Sequence, residues 1–123
     1  MASRVLIVDD EPNIVLSLEF LMKQRGYETA VARDGDEALA EAERFRPDLV
    51  LLDVMLPRRD GFEVCQRLRA EGPAGLKIVM LTAKGRDVEI EKGLALGADG
   101  YVTKPFATAE LVARVADMLE GGR

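Results

Sequence analysis

The sequence predicts an α/β fold: a five-stranded parallel sheet with helices on both faces, doubly wound, with a strand–helix unit repeated five times. Three observations carry this. Short apolar runs recur at 5–8, 29–32, 49–52, 78–81 and, more weakly, 101–103. They are close to continuously apolar rather than alternating, as strands covered on both faces are. The longer stretches between them place apolar residues at helical spacing.

Each element has its own signals. The first run, VLIV at 5–8, ends in Asp9-Asp10, and Asp10 with Pro12 opens a helix that carries Ile14, Leu18, Leu21 and Met22 and stops at Gly26. The run at 29–32 precedes a helix from Asp36 to Phe45, with Ala38, Leu39 and Ala42 inward. The most apolar run, LVLL at 49–52, leads directly to Asp53; the next helix begins near Gly61 and carries Phe62, Cys65 and Leu68. The run at 78–81 leads to Thr82, and a helix over Asp87–Leu96 ends at Gly97. The last run leads into Lys104-Pro105, and the last helix starts with Thr108 as N-cap, Glu110 in its first turn and Leu111, Val115 and Met118 on one side. With no repeat, linker or low-complexity tract, one domain is expected over 1–120, followed by a short tail at 121–123 and no effector domain.

Composition removes several classes of function. Hydrophobic residues at 48% with 32% charged residues suit a globular, water-exposed domain, and no apolar run is long enough to span a membrane. No signal or transit segment precedes the first run, so the cytoplasm is the expected compartment. The single cysteine, Cys65, excludes an internal disulfide; on the apolar stripe of its helix it is expected in the core. Seventeen basic against 22 acidic residues leave a net charge of −5, which argues against direct binding of nucleic acid by this chain. There is no histidine, which excludes Ser-His-Asp and Cys-His catalysis and most zinc sites, and excludes a histidine phosphodonor.

The residues that follow the runs are the informative ones. In a doubly wound sheet, ligands bind beyond the carboxyl ends of the strands where the winding reverses. Asp9, Asp10, Asp53, Thr82 and Lys104 all fall on that rim. Three crowded carboxylates repel unless compensated. Lys104 offsets one charge, and a divalent cation would offset the others; hard oxygen donors with room for water suit magnesium. A carboxylate beside magnesium and a lysine is a credible nucleophile towards phosphorus. Singly, each residue has a plainer role: Asp9-Asp10 as a helix cap, Thr82 as a backbone-satisfying hydroxyl, Lys104 as an exposed extended residue. Asp53 is harder to dismiss, since a lone carboxylate after the most apolar strand is costly to half-bury.

The segments VLIVDDEP, PDLVLLDVMLPRRDGFEVCQRLR, IVMLTA and GADGYVTKPF together resemble the receiver domain of two-component response regulators, in order and spacing, over essentially the whole chain. The resemblance implies a flavodoxin-like fold and a phosphoacceptor signalling domain rather than an enzyme with its own substrate. By the same resemblance Asp53 matches the phosphoacceptor, Asp10 the direct magnesium ligand, Asp9 the carboxylate acting through water, and Met55 the donor of a backbone carbonyl to the metal. Thr82 matches the switch hydroxyl, Tyr101 the aromatic that follows it, and Lys104 the lysine that pairs with the phosphoryl group. Implied partners are a histidine kinase or phosphotransfer protein as phosphodonor, a downstream protein target reached through the fourth helix, fifth strand and fifth helix, and a phosphorylation-dependent homodimer.

Two departures stand out. Gly100 replaces the second acid usual after GAD, and Ile90, Ala95, Gly100 and Ala116 stand where dimer partners are often charged, although Asp99, Glu110 and Arg114 remain available. By the same resemblance Met55 and Lys84 stand at the two positions that flank the path of a hydrolysing water, and they are expected to slow loss of the phosphoryl group; the alternative is that both extend into solvent. Arg58-Arg59 reads as a solvated turn. A magnesium-dependent phosphatase is the nearest rival, but its common signature separates two aspartates by one residue, and here they are adjacent. A flavodoxin-like cofactor binder would need a phosphate loop where the acidic DDEP stands, and a degenerate receiver would lack part of the set.

Overall fold

The computed structural model describes residues 2–57, 60–83 and 86–120. Strands and helices alternate: β1 (Arg4–Val8), α1 (Pro12–Gln24), β2 (Glu28–Ala32), α2 (Gly35–Phe45), β3 (Leu49–Asp53), α3 (Gly61–Glu71), β4 (Lys77–Ala83), α4 (Asp87–Ala95), β5 (Gly100–Lys104) and α5 (Thr108–Glu120). The five strands form one sheet in the order β2-β1-β3-β4-β5, and every neighbouring pair is parallel. This is the expected doubly wound, flavodoxin-like arrangement.

The apolar runs are continuous because both faces of the sheet are covered. Leu6, Val8, Val50, Leu52, Ile78 and Met80 are buried on one side with Ala38 of α2 and Val64, Cys65 and Leu68 of α3. The intervening residues, Val5, Ile7, Leu49, Leu51, Val79 and Leu81, are buried on the other with Val15, Leu18 and Met22 of α1 and Leu111 and Val115 of α5. Period-two alternation thus sends successive side chains into two different cores. Cys65 is buried as expected, and burial, opposed by the nearby Arg69 charge, pushes its thiol up to about 11.

Local chemistry places the helix starts. Asp34 caps α2 by accepting the Glu37 N–H at 2.8 Å, and Asp60 caps α3 by accepting the Glu63 N–H at 2.8 Å. Thr108 is not the N-cap of α5: it is already helical, and the Ala107 carbonyl accepts the Leu111 N–H at 3.0 Å. A threonine one step into a helix and one just before it share the same sequence signature, which accounts for the one-residue difference. Gly61 at the start of α3 lies so close to the Asp53 carbonyl and the Val54 backbone that no Cβ fits. Its N–H donates to the Val54 carbonyl at 3.0 Å, which pins the head of α3 against the end of β3.

Candidate functional site

The chain winds outward from β1 to β2 on one side, then crosses to β3 on the other, so the carboxyl ends of β1 and β3 border the reversal point. Val8 pairs with Leu52, which sets Asp9 and Asp53 side by side, one residue beyond. Asp53 is the last residue of β3, Thr82 the penultimate residue of β4 and Lys104 the last residue of β5. Strands β3, β4 and β5 therefore run slightly further than their apolar runs, because the backbone ladder continues where side chains turn polar.

Asp9, Asp10 and Asp53 each present a carboxylate oxygen, all within 4.8 Å of one another. Asp9 is 0% exposed and fully engaged: Oδ1 accepts the Glu11 N–H at 2.9 Å and Oδ2 accepts from Lys104 Nζ at 2.7 Å. Asp9 thus caps the approach to α1 and belongs to the acidic cluster at once. Asp10 is exposed and has no hydrogen-bond or ion-pair partner among the described residues. Asp53 is 6% exposed; Oδ1 accepts the Met55 N–H at 3.1 Å and Oδ2 lies 3.5 Å from Lys104 Nζ.

Burial raises the Asp53 carboxyl above the ordinary carboxylate range; the Met55 N–H and the Lys104 charge oppose this, and the neighbouring Asp9 charge adds to it. For Lys104, burial alone would favour the neutral amine. The hydrogen bond to Asp9 and the charge of Asp53 outweigh it, and the ammonium is held more firmly than usual. One lysine is thus shared by two buried carboxylates, with a third carboxylate open to water beside them. That donor set, hard oxygens with one freely solvated member and an excess of negative charge, fits a magnesium ion.

The remaining residues are less uniform. The Met55 side chain is 71% exposed, and its backbone N–H engages Asp53. Lys84, the other residue expected to shield the site, lies outside the described residues, as do Arg58-Arg59 and the tail at 121–123. Thr82 is 1% exposed, and its hydroxyl is directed to Glu89 Oε1 on α4 at 3.2 Å. Tyr101 is half-buried, with the Arg114 guanidinium 5.8 Å from its ring centre. Gly100 leaves room that the Met118 methyl occupies, so Met118 fills the place of a second acid's side chain.

Two neighbours were not legible in the sequence. Glu89, with Arg86 on it at 2.7 Å, reads as an ordinary acid in the first turn of a helix until the fold brings it to Thr82. Arg69 of α3 donates to the Leu76 carbonyl at 2.8 Å, the Gly97 carbonyl at 3.0 Å and Asp99 Oδ2 at 2.6 Å. Asp99 also accepts the Ile78 N–H at 2.8 Å, so this acid is committed within the molecule as well as standing where a dimer charge was expected.

The family model for the response regulator receiver domain matches residues 5–116. The chain is 50% identical over 115 residues to the DNA-binding response regulator MtrA of Mycolicibacterium smegmatis, covering 94% of this chain and 50% of that protein. It is 48% identical over 119 residues to the alkaline phosphatase synthesis transcriptional regulatory protein PhoP of Bacillus subtilis, covering 97% of this chain and 49% of that one. Among solved structures, a CheY-like response regulator receiver domain protein from Methanospirillum hungatei superposes with a TM-score of 0.92 at 30% identity, covering 98% of this chain and 96% of that one. The chain belongs to the response regulator receiver family of two-component signalling. It spans about half the length of the curated relatives it matches.

Proposed function

We propose that this receiver is phosphorylated on Asp53 in a magnesium-dependent reaction, with a partner histidine kinase or phosphotransfer protein as donor. The observation that carries the reading is the placement of Asp53: a buried carboxylate at the reversal point, 3.5 Å from Lys104 and clustered with Asp9 and Asp10. An Asp53 oxygen forms the bond to phosphorus as the bond from phosphorus to the donor's imidazole nitrogen breaks, leaving an acyl phosphate. Bound magnesium would supply positive charge against the phosphoryl oxygens. Asp10, exposed and without a partner among the described residues, would hold the ion directly, Asp9 would act through water because both its oxygens are engaged, and Met55 would offer its carbonyl. Lys104 holds its proton and gives the phosphoryl group a fixed cation.

Thr82 then turns its hydroxyl to the phosphoryl group, Tyr101 follows, and the face formed by α4, β5 and α5 changes to control a downstream partner. The domain, over 1–120, is a signalling element that catalyses only its own phosphorylation and slow dephosphorylation. It acts in the cytoplasm and does not itself bind nucleic acid; among the described residues no helix is long and apolar enough to cross a membrane. A phosphorylation-dependent homodimer is compatible with the exposed Val88 and Leu94 on α4. Incubation with acetyl phosphate and Mg²⁺, read by intact mass, is expected to add one phosphoryl group to the wild type and none to Asp53→Ala. An adduct that persists in Asp53→Ala, or forms equally in chelator, overturns the assignment.

A further inference from the structure

The Thr82 hydroxyl has one proton and, among the described residues, two acceptors within reach, Glu89 Oε1 at 3.2 Å and the Ala83 carbonyl at 3.4 Å. The carbonyl of the next residue, at the far limit of hydrogen-bond distance, is the poorer acceptor, and the carboxylate carries charge. Glu89 is itself held: its side chain is only 14% exposed and its other oxygen accepts from Arg86 at 2.7 Å. Arg86, immediately before α4, therefore fixes Glu89, and Glu89 fixes a hydroxyl at the end of β4.

We infer that Glu89 is a positioning residue that holds Thr82 turned towards α4, so that the Thr82–Glu89 hydrogen bond sets the balance between the resting and phosphorylated states. This deepens the proposed function and rests on it for the step in which Thr82 serves the phosphoryl group. A single hydroxyl proton cannot serve Glu89 and a phosphoryl oxygen together. Each time Thr82 turns, a charge-assisted bond to the first turn of α4 is given up, and the movement at the phosphoryl site is passed directly to that helix. A ligand moves such an equilibrium only by what it gains over the contacts it replaces. Weakening the Glu89 contact should therefore favour the phosphorylated-like state before any phosphate arrives.

The test uses the whole 123-residue chain with Mg²⁺ and beryllofluoride, titrated by calorimetry, in wild type, Glu89→Ala and Glu89→Gln, and again with Thr82→Ala added. Loss of one charge-assisted bond is expected to tighten beryllofluoride binding by about tenfold in Glu89→Ala. Glu89→Gln, which keeps size and an acceptor without the charge, should fall between, and alanine suits a helix interior. In the Thr82→Ala background, Glu89→Ala should change nothing. A ligand-free arm reads the Thr82 χ1 angle from three-bond couplings to its methyl carbon: one rotamer in the wild type, averaging in Glu89→Ala. Unchanged couplings overturn the proposal, as does equal tightening with and without the Thr82 hydroxyl. Failure of beryllofluoride to bind the wild type would instead overturn the Asp53 reading, and the couplings would still decide whether Glu89 holds Thr82.

Discussion

Asp53 carries a standing electrostatic cost. Its folded-state carboxyl is raised chiefly by burial, so the folded chain holds that proton more tightly than the unfolded chain does. Its contribution to stability is then fully present below the unfolded carboxylate range and is lost as pH rises through the raised folded value. At neutral pH, without divalent cation, the charged Asp53 destabilises the domain. Asp53→Asn is therefore expected to raise the urea midpoint at pH 7 in chelator, with an advantage that shrinks as pH falls into the range where Asp53 is protonated. Adding Mg²⁺ should stabilise the wild type more than the variant. A variant no more stable than wild type at pH 7 would mean that Lys104 already compensates the site fully. If magnesium binds these carboxylates as proposed, protons compete for the same oxygens, so Mg²⁺ affinity is expected to fall as pH drops towards 5; titration at constant ionic strength over pH 5–8 checks this, and a flat profile would place the ion elsewhere.

The elements that hold these residues depend on contacts of very different visibility. Gly61 stands against the backbone of Asp53 and Val54 with no room for a methyl group. Gly61→Ala is expected to cost about 2 kcal/mol, the scale of overpacking a tight contact, and to weaken beryllofluoride binding by shifting the end of β3. Urea denaturation and the same titration measure both; a variant of wild-type stability and affinity would show that α3 can move away freely. The sequence made Gly61 visible as a helix start, since the stripe of Phe62, Cys65 and Leu68 after it is a local signal. It could not show what the glycine meets, because that contact is made across the β3–α3 connection. The same holds at larger separation. Asp9, Asp53 and Lys104 were legible because each follows an apolar run, and a parallel sheet carries all such positions to one rim. Glu89 and Arg69 follow no such rule: their partners are set by how a helix sits on the sheet, which a pattern of apolar residues specifies only coarsely.

Across the whole molecule, the site and the face it is proposed to control are joined through β4 and β5. Thr82 and Lys104 each lie in the strand that precedes one of the helices of that face, with Thr82 opposite Thr103 in the β4–β5 register. Beryllofluoride with Mg²⁺ is expected to shift backbone amides chiefly between Thr82 and Thr108, with α2 and the N-terminal half of the sheet little changed. Shifts confined to the residues around Asp53 would mean that the site and the face are uncoupled. The chain covers about half of the two curated relatives described above, one named as a DNA-binding response regulator and the other as a transcriptional regulatory protein.

Helix α4 has nine residues, and Gly93, packed 3.2 Å from Met80 at the point where a Cβ would stand, is the one it buries. The sheet beneath takes from this helix a small residue at that spot and, through Glu89, an acceptor for the Thr82 hydroxyl. The other residues of the helix are exposed or half-buried, so most substitutions along it are expected to leave the hydrophobic interior intact. If this face meets a partner, as proposed, its side chains can be exchanged at little cost to the hydrophobic core beneath them.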